Sequence, residues 1–202
     1  MKKSAFSQIM EKGTLIFLAL SVLSFITWQA LENGVFLTLF ITFATFLYHL
    51  AVRLAVGEIV ERATAGGVNY NRAWFRQSQF EAALYRKLKV HKWKLNLPTY
   101  IPEKFSLKDN TPGQVASNTC CAEIVHEINA AVSFVPVVLS VILPVLRDTI
   151  VVFVLTSVAA ALFDMLFVVI QRYNRPRLLR MAERRKNLNN HNTDGKNKSI
   201  EQ

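Results

Sequence analysis

Cysteine is nearly missing from this chain: Cys120 and Cys121 are the only two in 202 residues. Adjacent thiols without further His or Cys at ligand spacing make a poor zinc site. They also fall in a segment expected to be cytoplasmic, where structural disulfides are rare. Both read as ordinary small residues, buried or at an interface. The usual catalytic signatures are missing too: there is no Gly-x-Ser-x-Gly elbow, no Walker loop and no Gly-x-Gly-x-x-Gly. His126-Glu127 starts a His-Glu-x-x-His pattern, but position 130 is Ala. That removes the second metal ligand of a metalloprotease, so no metal and no cofactor are expected. Acids are outnumbered, 14 against 24 Lys and Arg, for a net charge of +10. No nucleic-acid reader motif accompanies the bases, and membrane lipids are the expected partner rather than nucleic acid.

Charge is also missing from long stretches. Thr14–Leu31 has none in 18 residues; Val35–Val56 has only Arg53; 130–146 has none; Ile150–Ile170 has only Asp164. A helix needs about 20 residues to cross a hydrocarbon core. Three blocks reach that length and the third is short. Pro136 and Pro144 interrupt this third block, so it kinks or re-enters; a span is favoured because it keeps the basic tail on the cytoplasmic side. The first block is long and lacks an Ala-x-Ala end, so it reads as a retained span and not a cleaved signal. Basic residues then set the orientation. Three lysines precede the first block, ten Lys or Arg lie in 57–129 and nine follow Ile170, while the connectors 32–34 and 147–149 hold none and one. Positive flanks stay in the cytoplasm.

The expected fold is therefore all-α: a polytopic membrane protein with about four transmembrane helices, a cytoplasmic amphipathic helical loop, and both termini in the cytoplasm. Its divisions are an N-terminal hairpin (1–56), an interfacial loop (57–129), a second hairpin (130–170) and a basic tail (171–202), disordered after about residue 186. Within the loop, 69–90 reads as a helix with Phe80, Leu84 and Leu88 on one face, suited to the headgroup region with Trp74, Phe75 and Tyr85. Residues 98–118 read as loop, with Asn118 or Thr119 capping the next helix.

Two clusters could carry chemistry. Glu123, His126 and Glu127 are three and four positions apart on a predicted helix and share a face. A carboxylate beside a histidine orients the ring to accept a proton near neutral pH. Arg172, Arg175 and Arg177, with Tyr173 and Asn174, offer guanidinium forks for phosphate or carboxylate. The same residues also read as a solvated helix end and a charged collar after a last span. His49 and Asp164 are ionisable groups inside apolar blocks, and such groups are functional candidates.

Three elements occur here in a recognisable order: Lys92-Trp93-Lys94, "AEIVHE" (Ala122–Glu127) and "QRYNRPRL" (Gln171–Leu178). On these, and on Phe80-Glu81, residues 68–180 resemble the glycosyl-4,4'-diaponeurosporenoate acyltransferases. These are small bacterial membrane enzymes that esterify a fatty acyl chain onto the sugar of a glycosylated carotenoid. The resemblance implies a bacterial cell-membrane enzyme whose partners are an acyl donor and a lipid-linked sugar, a carotenoid glycoside or similar glycolipid. On that reading His126 is the expected base, oriented by Glu123. Arg172, Asn174 and Arg175 would bind the donor or the oxyanion, with Tyr173 donating to the same oxygen. Lys92, Trp93 and Lys94 would hold the sugar or donor. The competing expectations are an adaptor that recruits a partner through 57–129 and a small transporter using His49 and Asp164.

Overall fold

The computed structural model describes residues 4–198, with side chains to residue 188 except at 145. Seven α-helices and four short 3-10 helices account for the regular structure of the described residues, which contain no strand. Helices α1 (Ala5–Leu31) and α2 (Gly34–Ala63) form an antiparallel hairpin. Between them Glu32 takes a left-handed conformation, its N–H bonded to the Trp28 carbonyl, and Asn33 caps α2 through its side chain. Short helices α3 (Gln79–Lys87) and α4 (Val90–Trp93) follow. Then α5 (Pro112–Val132), α6 (Val135–Ile142) and α7 (Ile150–Lys198) form a second hairpin, joined to the first through α2 and α5.

Four stretches are long and apolar enough to cross a membrane: α1, α2, α5 with α6, and α7. The packing suits such a setting. Leu15, Ile16, Leu23 and Ile26 of α1 face outward, while its buried residues are Ser7, Ser21 and Ser24. Lipid tails are as apolar as leucine, so small side chains that let backbones approach belong between such helices.

The interrupted third block is resolved in detail. Pro136 has no N–H to give the Val132 carbonyl four residues back. The Tyr48 hydroxyl of α2 donates to that carbonyl instead, at 2.6 Å, so the break between α5 and α6 leaves no stranded acceptor there.

Two expectations need correction. Helix α5 starts at Pro112 and not near Asn118, because Thr111 and Gln114 form a capping box and proline suits the first turn. Residues 69–90 are not one helix: a turn at Ala73–Phe75 precedes α3, which Ser78 and Glu81 cap reciprocally. The Trp74 and Phe75 carbonyls, which a longer helix would use, are taken by Arg172 and Arg175. Helix α7 runs on into the basic tail as far as Lys198; 199–202 lie outside the described residues. The Phe80, Leu84 and Leu88 face does point outward, with Phe80 76% exposed, and the ring buried from α3 is Tyr85.

Candidate active site

Most of the polar chemistry collects at one end of the bundle, where α2 ends, α5 begins and α7 leaves its apolar stretch. It forms two clusters on the same pair of helices, α5 and α7.

The first is built around Glu123, which is fully buried. Its Oε1 accepts from Arg172 Nε at 2.7 Å and its Oε2 from the Arg175 guanidinium. Arg172 also donates to Glu81 (2.6 Å) and to the Trp74 carbonyl (3.1 Å), and lies 3.6 Å from Glu127. Arg175, 1% exposed, donates to Thr119 Oγ1 and the Phe75 carbonyl and lies over the Phe75 ring. The Trp74 indole N–H donates to Glu127 at 3.1 Å. Burial alone would raise the Glu81 carboxyl, but the Ser78 backbone N–H and Arg172 together bring it below its ordinary value. Burial, then the Glu81 charge, pushes the Tyr85 phenol up to about 12. Both oxygens of Glu123 and all three nitrogens of Arg172 and of Arg175 are matched within the protein.

The second cluster lies one turn further along α5. His126 Nδ1 faces Asp164 Oδ1 at 3.0 Å, and the Arg53 guanidinium holds the other oxygen of Asp164. Arg53 also donates to the carbonyls of His49 and Ala160. The His126 ring stacks on Phe167, centroids 4.6 Å apart, which fixes its plane. With Nδ1 turned to the carboxylate, Nε2 is the nitrogen available to a ligand. His126, Asp164 and Arg53 line a cavity of about 270 Å³. Phe163, Phe167 and Leu54 give it apolar walls, and Lys94, Tyr100 and Ile101 bring the loop across it.

The sequence-predicted residues are thus divided. Glu123 does not orient His126; both its oxygens are taken by arginines, and Asp164 stands beside the imidazole instead. Arg172 and Arg175 fasten the 73–81 segment to α5 and do not face the cavity. Lys94 reaches the cavity, donating to Asn174 at 2.7 Å and sitting 4.9 Å over the Tyr173 ring. Burial and then Arg177 lower its ammonium below the usual lysine value. Trp93 gives its indole N–H to the Leu88 carbonyl, and Lys92 and Arg177 are exposed. His49 and Asp164 share no hydrogen bond; both His49 ring nitrogens are buried without a partner. Reasoning on sequence passed over Arg53 and Asn129 as parts of the site. The signal for Arg53 was present: an acid within one apolar block needs a counter-charge, and Arg53 is the only Lys or Arg in another.

The fold and these clusters define a helical membrane protein with a histidine–carboxylate pair opening on a cavity at the polar end of its bundle. The pattern of the glycosyl-4,4'-diaponeurosporenoate acyltransferase family matches residues 71–184, just over half of the chain, and the chain belongs to that family. No curated protein and no solved structure gives a significant match. The matched region contains both clusters apart from Arg53, which α2 supplies from outside it.

Proposed function

We propose that the protein is a membrane acyltransferase that esterifies a fatty acyl group onto a hydroxyl of a lipid-linked sugar, with His126 as general base. The arrangement of Arg53, Asp164 and His126 on the cavity wall carries this reading. Asp164 accepts a hydrogen bond from Nδ1–H, which leaves the lone pair on Nε2, and Arg53 holds the second oxygen of Asp164 in place. An acceptor hydroxyl at Nε2 gives up its proton as its oxygen attacks the acyl carbonyl carbon. The tetrahedral intermediate then collapses, breaking the bond to the donor's leaving group, which takes the proton back from the imidazolium.

Lys94, which lines the same cavity, suits an anionic group on the donor. The apolar walls suit an acyl chain. Family membership supports acyl transfer as the reaction class and a glycosylated acceptor. The excess of basic residues at the site end supports a cytoplasmic placement. In membranes from a deletion strain complemented with His126→Ala, mass spectrometry should find the acylated glycolipid absent while the variant accumulates to the wild-type level. Ester at the wild-type level would refute the assignment of the base.

A further inference from the structure

Asn129 lies three residues beyond His126 on α5, so the two side chains share a helix face about 5–6 Å apart at their Cβ atoms. It lines the same cavity, is 3% exposed, and its Oδ1 has no hydrogen-bond partner. Two hydroxyls from its surroundings are committed elsewhere. The Ser133 hydroxyl donates to the Asn129 backbone carbonyl at 2.7 Å, and the Tyr48 hydroxyl serves Val132. A buried acceptor left unmatched is costly, and buried polar groups in native proteins are nearly always paired. An unmatched acceptor on a residue that lines a cavity points to a ligand donor as its partner.

The chemistry of that donor can be read from the atom. An acyl ester or thioester carbonyl only accepts, so it cannot satisfy Oδ1. A hydroxyl can, and its oxygen can take a bond from the amide N–H in return. We propose that Asn129 binds a second, non-reacting hydroxyl of the acceptor sugar, next to the hydroxyl that His126 deprotonates, and so selects which sugar hydroxyl is acylated. This rests on the acyltransferase reading given above. It places the saccharide ring over one turn of α5, at the His126 end of the cavity, and the donor towards Lys94.

Octyl glucoside and its singly deoxygenated forms serve as acceptors for the full-length protein in sugar-free detergent, with a palmitoyl thioester and native lipid extract as donors. Ester is read by mass spectrometry. Asn129→Leu should raise KM for octyl glucoside about 10- to 100-fold, with a smaller change in kcat. One deoxygenated glucoside should show a similar loss with the wild type and no added loss with the variant, because the two changes remove the same bond. Multiplying losses for every analogue, or an unchanged KM, would overturn the assignment. The wild type alone gives a second check that needs no variant: if no single deoxygenation weakens binding, Asn129 has no hydroxyl to hold. Thermal shift with octyl glucoside separates this inference from the reaction itself. Stabilisation of the wild type but not of Asn129→Leu, without ester formed from any donor, keeps the sugar site and defeats acyl transfer. Equal stabilisation of both defeats the sugar site.

Discussion

The Glu123 cluster and the His126 cluster sit about one helical turn apart on α5, and each joins a carboxylate to a guanidinium across two helices, α5 to α7 at Glu123 and α7 to α2 at Asp164. They differ in closure. Around Glu123 both carboxylate oxygens meet arginine, and four further guanidinium bonds go to Glu81, Thr119 and two backbone carbonyls. Around Asp164 one oxygen meets Arg53 and the other a histidine, whose second nitrogen remains for something outside the protein. Charge density alone does not distinguish a reactive site from a fastening. Matched groups hold structure, whereas an incompletely matched group beside a cavity is available for chemistry.

Substituting one member of each cluster should separate the two roles. Asp164→Asn keeps the shape but no longer holds the proton on Nδ1, so ester formation should fall by about 10²- to 10⁴-fold. Its thermal midpoint in detergent should change much less, because Arg53 keeps its bonds to two carbonyls. Arg175→Leu should act in the opposite sense. It leaves Glu123 Oε2 without its arginine while Oε1 keeps Arg172, and removing one partner of a buried pair costs about 3–5 kcal/mol. Its midpoint should drop sharply, with the 73–81 segment exposed to protease before the spans unfold. A large activity loss with unchanged stability in Arg175→Leu would place that arginine in the chemistry and end the contrast.

That contrast bears on what the sequence disclosed. Four apolar blocks announced four long apolar helices, because the thickness of a bilayer fixes the length of such runs. Glu123, His126 and the arginines were visible as chemistry-bearing residues, yet their pairing was not. Helical spacing offered His126 a partner on its own helix, at Glu123. The structure provides one from α7, 38 residues away in sequence. Spacing along one helix limits which residues can meet; packing between helices decides which do. The arginine-rich run is a case in point. Its clearest structural work is to clamp a loop, with Leu178 packed against Val115 and Ala116, while Asp164 lies two turns earlier in the same helix. The capping boxes at Ser78 and Thr111 were legible as Ser-x-x-Glu and Thr-x-x-Gln, and they mark the helix starts that the broader pattern misplaced.

A smaller effect follows from pH. Glu81 has a folded value below its ordinary 4.5, so its contribution to stability is present above about that pH. It is lost as pH falls through the lower folded value. Thermal midpoints between pH 6 and pH 3 should therefore decline for the wild type, and less steeply for Glu81→Gln, which starts lower because its pairing with Arg172 is weakened. Asp164 belongs to the other cluster, so Asp164→Asn should leave the Glu81-dependent part of the slope in place. Equal slopes for the wild type and Glu81→Gln would mean that the Arg172–Glu81 pair contributes nothing to the clamp.

The smallest expected change tests the first hairpin, which lies outside the family match yet supplies Arg53 and Tyr48 to the second. Tyr48→Phe keeps the ring and removes only the hydroxyl that serves the Val132 carbonyl. In water a lost bond of this kind costs about 0.5–1.5 kcal/mol, and bonds between helices in membranes average about 0.6 kcal/mol. The thermal midpoint should fall by no more than a few degrees. The sharper readout is local: amide exchange at Ser133 and Phe134, beside the break, should quicken while exchange near Glu123 stays as it was. If exchange quickens equally at both places, the two hairpins are coupled through the whole length of α5, and the separation between fastening and reactive cluster would need to be drawn elsewhere.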